Sequence, residues 1–316
     1  MTSKKVVFMG TPEFASTVLQ KMVENSIQVV GVVTTPDKPA GRGQKMHTSA
    51  VKEYALSQNI PLLQPEKLKN EEFLKELKSL QADLFVVVAF RMLPEEVWNM
   101  PSLGTINLHA SLLPQYRGAA PINWAIINGE TQTGVTTFFI EKEIDTGKII
   151  AARSTSIGAN MNVGELHDEL MTIGSSLVVE TVNAIFNGET IATEQNTSAV
   201  IELKSAPKIF KPDCQIDWHK DAGQIHNKIR GLSPFPTAWT QLHYEQGEKS
   251  VKLFKSSLTD EPCNQKPGII RVDNFEMFVA TKNTWLKIEE LQLEGKKRMD
   301  TRSFCLGLKL ENAFFL

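Results

Sequence analysis

The most constraining feature of this sequence is a set of short apolar runs without polar alternation. Residues 4–9 read KKVVFM, 27–33 read IQVVGVV and 83–90 read DLFVVVAF. Successive strand side chains point to opposite faces, so a strand that is apolar at consecutive positions must be covered on both. Helical patterns separate these runs, at 12–25, at AVKEYALSQN (50–59) and near 70–80. The alternation continues through a short strand at 61–63, TINLH (105–109), a helix PINWAIING (121–129) and GVTTFFI (134–140). A long helix over 162–188 closes the series. Such alternation predicts an α/β fold: a doubly wound, mostly parallel sheet with helices on both faces. Gly10 is expected to make the turn out of the first strand, with Thr11 as helix N-cap and Pro12 at the first helical position.

Past about residue 206 the texture changes. The runs TAWTQLHY, KSVKLFKSS, GIIRV, EMFVA and WLKIEELQL are short, alternate in polarity and are separated by turn residues. Spacing of this kind predicts a small β-barrel or sandwich. A chain of 316 residues is expected to form two domains, divided here as 1–205 and 206–316. Net charge supports the division: residues 1–205 carry −5 and residues 206–316 carry +3. A mildly basic second domain permits an anionic partner, although a solvated surface accounts for it equally well. Three scattered cysteines, Cys214, Cys263 and Cys305, argue against a disulfide framework and a cysteine metal site, and no metal is expected. The opening MTSKKVVFMG has too short an apolar run for a signal peptide, and no apolar segment is seen to approach the roughly 20 residues that span a bilayer. A cytoplasmic location without membrane association is the resulting expectation.

The stretch INLHASLLPQYRGAAPINW (106–124) puts Asn107 and His109 at the end of an otherwise apolar strand. Period two points both side chains the same way. Two neutral polar groups aimed into the crevice beyond a strand end can hold a carbonyl oxygen on which negative charge develops. A strand-edge asparagine and a core histidine satisfied by backbone would also explain the pair. EKEIDTGKII (141–150) then supplies Asp145 in an Asp-Thr-Gly turn, and a carboxylate near His109 would orient the imidazole and favour its charged form. Ser111 has no G-x-S-x-G elbow and no cysteine is nearby, so the trio suits direct transfer between two bound substrates. Gly10-Thr11-Pro12-Glu13 lacks the G-x-G-x-x-G pattern of dinucleotide binding. Phe85, Trp98 and Trp124 are expected in the core, with His167 and Asp168 on a helix surface. The segment 34–48 is a long polar connection with Lys38, Arg42 and Lys45 against one acid, Asp37. Connections of this length without secondary structure are uncommon and often functional.

Several passages together resemble the 10-formyltetrahydrofolate-dependent formyltransferases: FMGTPEFA (8–15), PDKPAGRGQK (36–45), VVVAFRMLP (86–94), INLHASLLPQYRGAAPI (106–122), GVTTFFIEKEIDTG (134–147) and IDWHKDAGQIHNKIRGLSPFPTAW (216–239). The resemblance implies a Rossmann-like catalytic domain over 1–205 and a C-terminal β-barrel of oligonucleotide-binding type over 206–316. It implies catalytic roles for Asn107, His109 and Asp145. It also implies a folate site lined by Ser111, Leu112, Leu113 and Pro114, with Arg91, Met92, Leu93 and the 141–145 loop around the pterin. The co-substrate would be 10-formyltetrahydrofolate. Segment 34–48 points within this family to an acceptor carried on initiator methionyl-tRNA, with Arg42 at the acceptor end and Lys38 and Lys45 supplying phosphate attraction. A monomer is expected. A formyltransferase with a small amine acceptor would keep the trio without needing that segment, and a non-enzymatic RNA-binding protein would leave the trio idle. Lys296-Lys297-Arg298 is the one basic run of the second domain, and the terminal LKLENAFFL is left unassigned.

Overall fold

The structure, a computed structural model, describes residues 4–40, 45–197 and 202–316. Two compact units emerge. The first comprises the chain up to Gly118 together with Gly134–Thr155 and Asp168–Ser205. The second comprises Ala119–Thr133, Ser156–His167 and Ala206–Leu316. The chain therefore divides more finely than a single cut at 205/206.

In chain order the elements of the N-terminal part are β1 (Lys5–Gly10), α1 (Glu13–Glu24), β2 (Gln28–Val33), β3 (Lys38–Ala40), β4 (Lys45–His47), α2 (Ala50–Ser57), β5 (Leu62–Leu63) and α3 (Glu71–Ser79). There follow β6 (Leu84–Val88), α4 (Glu95–Trp98), β7 (Thr105–His109), β8 (Arg117–Gly118), α5 (Pro121–Ile127), β9 (Gln132–Phe139), β10 (Ile149–Ser156) and α6 (Val163–Asn187). The main sheet has the order β10-β9-β7-β6-β1-β2-β5. The pairs β1–β2, β1–β6, β2–β5 and β6–β7 are parallel and β7–β9 is antiparallel. The reversal of order beside β1 is the doubly wound pattern that the apolar runs predict. All five residues of β6 are buried, which is what coverage on both faces demands. Phe8, Phe85, Leu84 and Ile106 are among the largest fully buried side chains.

Local chemistry places several helix starts. Ser49 caps α2 by accepting from the Lys52 amide, and Asn70 caps α3 by accepting from Glu72 and Phe73. At α1 the expected cap moves by one residue. Pro12 occupies the N-cap and Glu13 begins the helix, so Thr11 lies outside it. Gly10 is required by close approach: a Cβ there would stand 2.6 Å from Cβ of Ala15 and 2.9 Å from the carbonyl oxygen of Val88.

Three sequence expectations need correction. Segment 34–48 is not a structureless loop, because β3 and β4 pair antiparallel within it, Lys38 opposite His47 and Pro39 opposite Met46. Its proline and glycines mask the hairpin. The 25-residue α6 is long and apolar enough by composition to cross a membrane, so the expectation that no segment approaches that length fails. Within the fold it buries Leu166, Leu170, Leu177, Val178, Val182 and Ile185, which gives its apolarity a core function. Trp124 is only partly buried, and its indole N–H donates to the Pro207 carbonyl at 2.8 Å.

The remaining elements are β11 (Ser205–Ala206), a 3-10 turn at Pro212–Cys214, α7 (Ala222–Gly231), β12 (Ala238–Tyr244), β13 (Gly247–Pro262), β14 (Ile270–Asp273), β15 (Glu276–Ala280), β16 (Thr284–Leu293), β17 (Met299–Asp300), α8 (Thr301–Gly307) and β18 (Phe314–Phe315). Antiparallel pairing runs β14-β15-β16-β13-β12-β18. Register shifts along β13 bend this 16-residue strand. The two ends of the path then meet. Ile269, just before β14, bridges Phe314, and the Phe315 amide donates to the Gly268 carbonyl at 2.8 Å. The unassigned C-terminal segment is thus the closing strand of an antiparallel barrel, which removes two sheet edges at once. Phe315 points into that core and stacks on Trp218 with ring centres 5.4 Å apart.

Another interior group of this unit is His226 on α7. Its Nδ1 lies 3.0 Å from the Ser256 hydroxyl and its Nε2 lies 3.3 Å from the Ala159 carbonyl. Burial pushes its pKa below the usual histidine value, with the Arg230 cation acting in the same direction, while the Ala159 carbonyl and Glu289 oppose them.

Two outcomes follow for this unit. Phe315→Ala is expected to cost about 3–5 kcal/mol of its stability, whereas Phe314→Ala, partly exposed, costs far less. Equal small losses in denaturant unfolding would remove the closing role of β18. Because His226 folds with a depressed pKa, the unfolded chain takes up the proton first, and stability is lost as pH falls below the ordinary value near 6.5. His226→Gln is expected to flatten that acid limb, and a limb of unchanged slope would show that other groups carry it.

Candidate active site

The site is built on β7. Leu108 lies with its Cδ2 against the α6 backbone at Gly174, so period two turns Asn107 and His109 to the opposite face. On the neighbouring strands Asn107 is opposite Val87 and Phe138, and His109 is opposite Thr136. His109 is 5 % exposed, and its Nε2 donates to the Tyr116 carbonyl at 2.8 Å. That carbonyl can only accept, so Nε2 bears the hydrogen and Nδ1 is the nitrogen left for chemistry. Nδ1 lies 3.7 Å from Oδ2 of Asp145, too long for a hydrogen bond but within ion-pair reach. Asn107 is partly exposed, and among the described residues its side-chain amide has no hydrogen-bond partner. The pair expected from the sequence and the carboxylate expected beside it are therefore brought together.

The chain leaving β9 turns back to carry Asp145 to His109. Asp145 has φ +56°, a left-handed conformation that L residues seldom adopt, and Oδ2 accepts from the Gly118 amide at 2.9 Å. Gly147 completes the turn, since a Cβ there would collide with the Phe139 carbonyl oxygen. The Gln195 amide nitrogen donates to the carbonyls of Asp145 and Gly147, and its oxygen accepts from Arg117. Neither Gln195 nor Arg117 was singled out by sequence pattern, and no local signal marks them.

The loop 111–116 is shaped from within. Ser111 is fully buried, and its hydroxyl donates to the Gln115 carbonyl at 2.6 Å. Thr136 on β9 donates to the Ser111 carbonyl at 2.7 Å and accepts from the Leu113 amide at 3.2 Å. Ser111 and Leu113 thus face inward, while Leu112 and Pro114 retain partial exposure. Thr136 is a site-shaping residue that strand propensity alone conceals, because threonine is unremarkable within a strand.

Residues 91–93 have three different fates. The Arg91 guanidinium donates to the carbonyls of Glu66 at 2.9 Å and Pro65 at 2.8 Å and lies over the Phe90 ring, and burial lowers its pKa. It ties the 65–66 loop down, so its charge is already engaged. Leu93 joins the core cluster containing Met9, Val87 and Val97. Met92 is 72 % exposed, and Ile144 of the 141–145 loop is 59 % exposed. These two are the free apolar side chains of the loops expected around a flat ring.

Of the cations of segment 34–48, Lys38 is exposed on β3 and Lys45 begins β4, while Arg42 lies outside the described residues. The base of the segment is fastened. Thr34 and Ser49 hydroxyls meet at 2.9 Å, and Lys52 bonds Asp37 at 2.5 Å. Gln64 donates to Asp37 at 3.1 Å and to the Thr35 carbonyl at 2.9 Å. The bonds from Lys52 and Gln64 hold the Asp37 carboxyl below its ordinary pKa.

Comparison with known proteins places the chain in a family. Residues 4–182 match the family described as formyl transferase, and residues 208–309 match the formyl transferase C-terminal domain. The methionyl-tRNA formyltransferase of Bacteroides thetaiotaomicron is 52% identical over 98% of this chain and 97% of its own length. That of Flavobacterium johnsoniae is 52% identical over the same shares, and that of Porphyromonas gingivalis is 46% identical over 99% of this chain and 98% of its own. Among solved structures, an N-formyltransferase from Helicobacter canadensis in complex with folinic acid and dTDP-3-aminofucose is similar at TM-score 0.67, with 21% identity, covering 94% of this chain and 100% of that one. HypX from Aquifex aeolicus in complex with tetrahydrofolic acid is similar at TM-score 0.64, with 17% identity over 96% of this chain and 47% of that one. At such identities the two structures speak for the fold alone. A strand-borne Asn107 and His109 facing Asp145, joined to matches over both parts of the chain, lead to one conclusion: this chain belongs to the formyltransferase family.

Proposed function

We propose that this chain transfers the formyl group of 10-formyltetrahydrofolate to the free α-amine of methionine carried on initiator tRNA. The observation that carries the reading is His109 Nδ1 facing Asp145 at 3.7 Å, on a strand whose Asn107 amide has no partner among the described residues, within a chain about half identical to methionyl-tRNA formyltransferases over nearly its whole length. When bound, 10-formyltetrahydrofolate supplies an activated formyl group. The exposed Met92 and Ile144 suit a flat heteroaromatic ring, and Leu112 and Pro114 supply further apolar surface. Arg91, Leu93, Ser111 and Leu113 support that site from behind, through the contacts already described.

The chemistry falls to three side chains. Asn107 donates its amide N–H to the formyl oxygen as negative charge develops there, and His109 does so through Nδ1 when protonated. Asp145 supplies the countercharge at 3.7 Å and takes part, directly or through water, in removing the proton from the attacking amine. Because Nε2 is held by the Tyr116 carbonyl, proton exchange at His109 is confined to Nδ1. No residue needs to form a covalent bond to the formyl group.

Segment 34–48 supplies the preference for a nucleic-acid acceptor. With Asp37 engaged by Lys52, the cations Lys38, Arg42 and Lys45 act on tRNA phosphates near the acceptor end, and Arg42 also suits stacking on an unpaired base. A small amine acceptor would leave this segment without a task.

The deciding experiment presents the purified chain and 10-formyltetrahydrofolate with methionine charged on initiator or on elongator tRNA. Formylation of the initiator species is expected, with Asn107→Ala lowering turnover by about 10²–10³. Absence of transfer to either tRNA would sink the reading, as would an Asn107→Ala enzyme with undiminished turnover. Replacing Lys38, Arg42 and Lys45 together by alanine should raise KM for tRNA and flatten its salt dependence, leaving KM for the folate in place. An unchanged salt slope would move tRNA recognition elsewhere.

A further inference from the structure

The segment that follows α6 carries no recognisable motif, yet it clasps the turn bearing Asp145. Thr193 and Ile149 exchange backbone hydrogen bonds at 2.8 and 2.9 Å, and Glu194 pairs with Lys148 at 3.0 Å. Gln195 comes next. Its Nε2 donates to the Asp145 carbonyl at 2.9 Å and to the Gly147 carbonyl at 2.8 Å. Its Oε1 accepts from Arg117 Nη2 at 2.6 Å and Nε at 3.2 Å. Turning the amide over would set oxygen against two carbonyls and N–H against a guanidinium, so its orientation is determined by its partners. The contacts close a ring: Arg117 holds Gln195, Gln195 holds the Asp145 backbone, and the Asp145 carboxylate returns to the amide of Gly118, the residue after Arg117.

The same stretch of chain acts on the other member of the pair. The Gln115 side chain donates to the Glu202 carbonyl at 2.9 Å and accepts from the Lys204 amide at 2.8 Å, while the Tyr116 amide donates to the Lys204 carbonyl at 2.7 Å. Tyr116 is the residue whose carbonyl orients His109. Residues on both sides of the undescribed 198–201 therefore brace the two residues whose separation is 3.7 Å.

We propose that Gln195 is a positioning residue for formyl transfer, fixing the left-handed Asp145 turn to Arg117 so that the carboxylate meets His109 at working distance. The inference rests on the assignment of Asp145 and His109 to the chemistry. Left-handed backbone at a residue other than glycine is strained and persists only where surrounding contacts over-determine it. Here the two hydrogen bonds from Gln195 and the one from Gly118 do so. Removing two of the three frees the carboxylate to drift without touching either substrate's contacts.

The test is single-turnover and steady-state formylation of methionyl initiator tRNA by the full chain, comparing Gln195→Ala and the near-isosteric Gln195→Met with Asp145→Asn and with the double variant Gln195→Ala/Asp145→Asn. Turnover is expected to fall about 10- to 100-fold in both Gln195 variants, the range that small misplacements of reacting groups produce. KM for folate and for tRNA should stay within about twofold. In the Asp145→Asn background the Gln195 change should cost nothing further, because no carboxylate remains to be placed. Undiminished turnover in both Gln195 variants, with Asp145→Asn inactive, would overturn the positioning role alone. Equal fractional losses with and without Asp145 would also overturn it, by showing a general structural effect. If Asp145→Asn itself kept full turnover, the failure would lie in the assignment beneath.

Discussion

A single 2.8 Å hydrogen bond, from His109 Nε2 to the Tyr116 carbonyl, governs what the rest of the site can do. It settles which ring nitrogen bears hydrogen, and so which one faces Asp145. The acceptor is a backbone carbonyl that cannot titrate, so the anchoring holds in both charge states of the ring. Its position depends on the loop 111–116, and that loop depends on Thr136 of β9 and on Lys204 beyond the sheet. The buried His109 side chain thus draws its orientation from chain far away in sequence. The strand supplies rigidity and direction, while the loops supply the proton inventory.

The second unit solves a different problem. A small antiparallel sheet leaves edges with unpaired backbone groups, and β18 meets both ends of the path with two residues. On its surface several cations have acidic partners. Arg271 forms two bonds with Glu261, Arg298 bonds Glu290 and covers the Phe254 ring, Lys287 meets Glu276 and Lys255 meets Glu289. The net +3 of residues 206–316 is therefore a diffuse excess. A surface of this kind attracts a polyanion through its summed field, without a dense stripe of free cations.

The main sheet was legible because VVFM, VVGVV and LFVVV can only be buried on two faces. Asn107, His109 and Asp145 were legible as residue types in a pattern, which the resemblance to a family sharpened. What escaped was structure with no period of its own. In the β3–β4 hairpin, Pro39 and two glycines read as loop. Strand β10, at the sheet edge, has a largely exposed IIAARSTS sequence with little alternation to detect. Gln195 and Thr136 escaped for a stronger reason: their work consists of contacts to residues 48–50 and 25 positions away, which no local window contains. Arg91 likewise makes contacts that no local window contains, donating to the carbonyls of Glu66 and Pro65 some 25 positions away.

Asp37 repays the same kind of reading. In sequence it looks like an acid that dilutes the positive charge of segment 34–48. In the structure Lys52 and Gln64 take up both of its carboxylate oxygens, and the Thr34–Ser49 contact joins the two ends of the segment. The acid is thus spent on fastening the base of the hairpin, and the cation that neutralises it belongs to α2, not to the segment. In the sequence of the segment, Lys38, Arg42 and Lys45 then stand against no second acid. Anchoring reduces the entropy lost when such a segment meets a partner, and an unbalanced charge lengthens the range over which a polyanion is drawn in. The Lys52–Asp37 pair thus fixes the base of the segment through a cation that lies outside it.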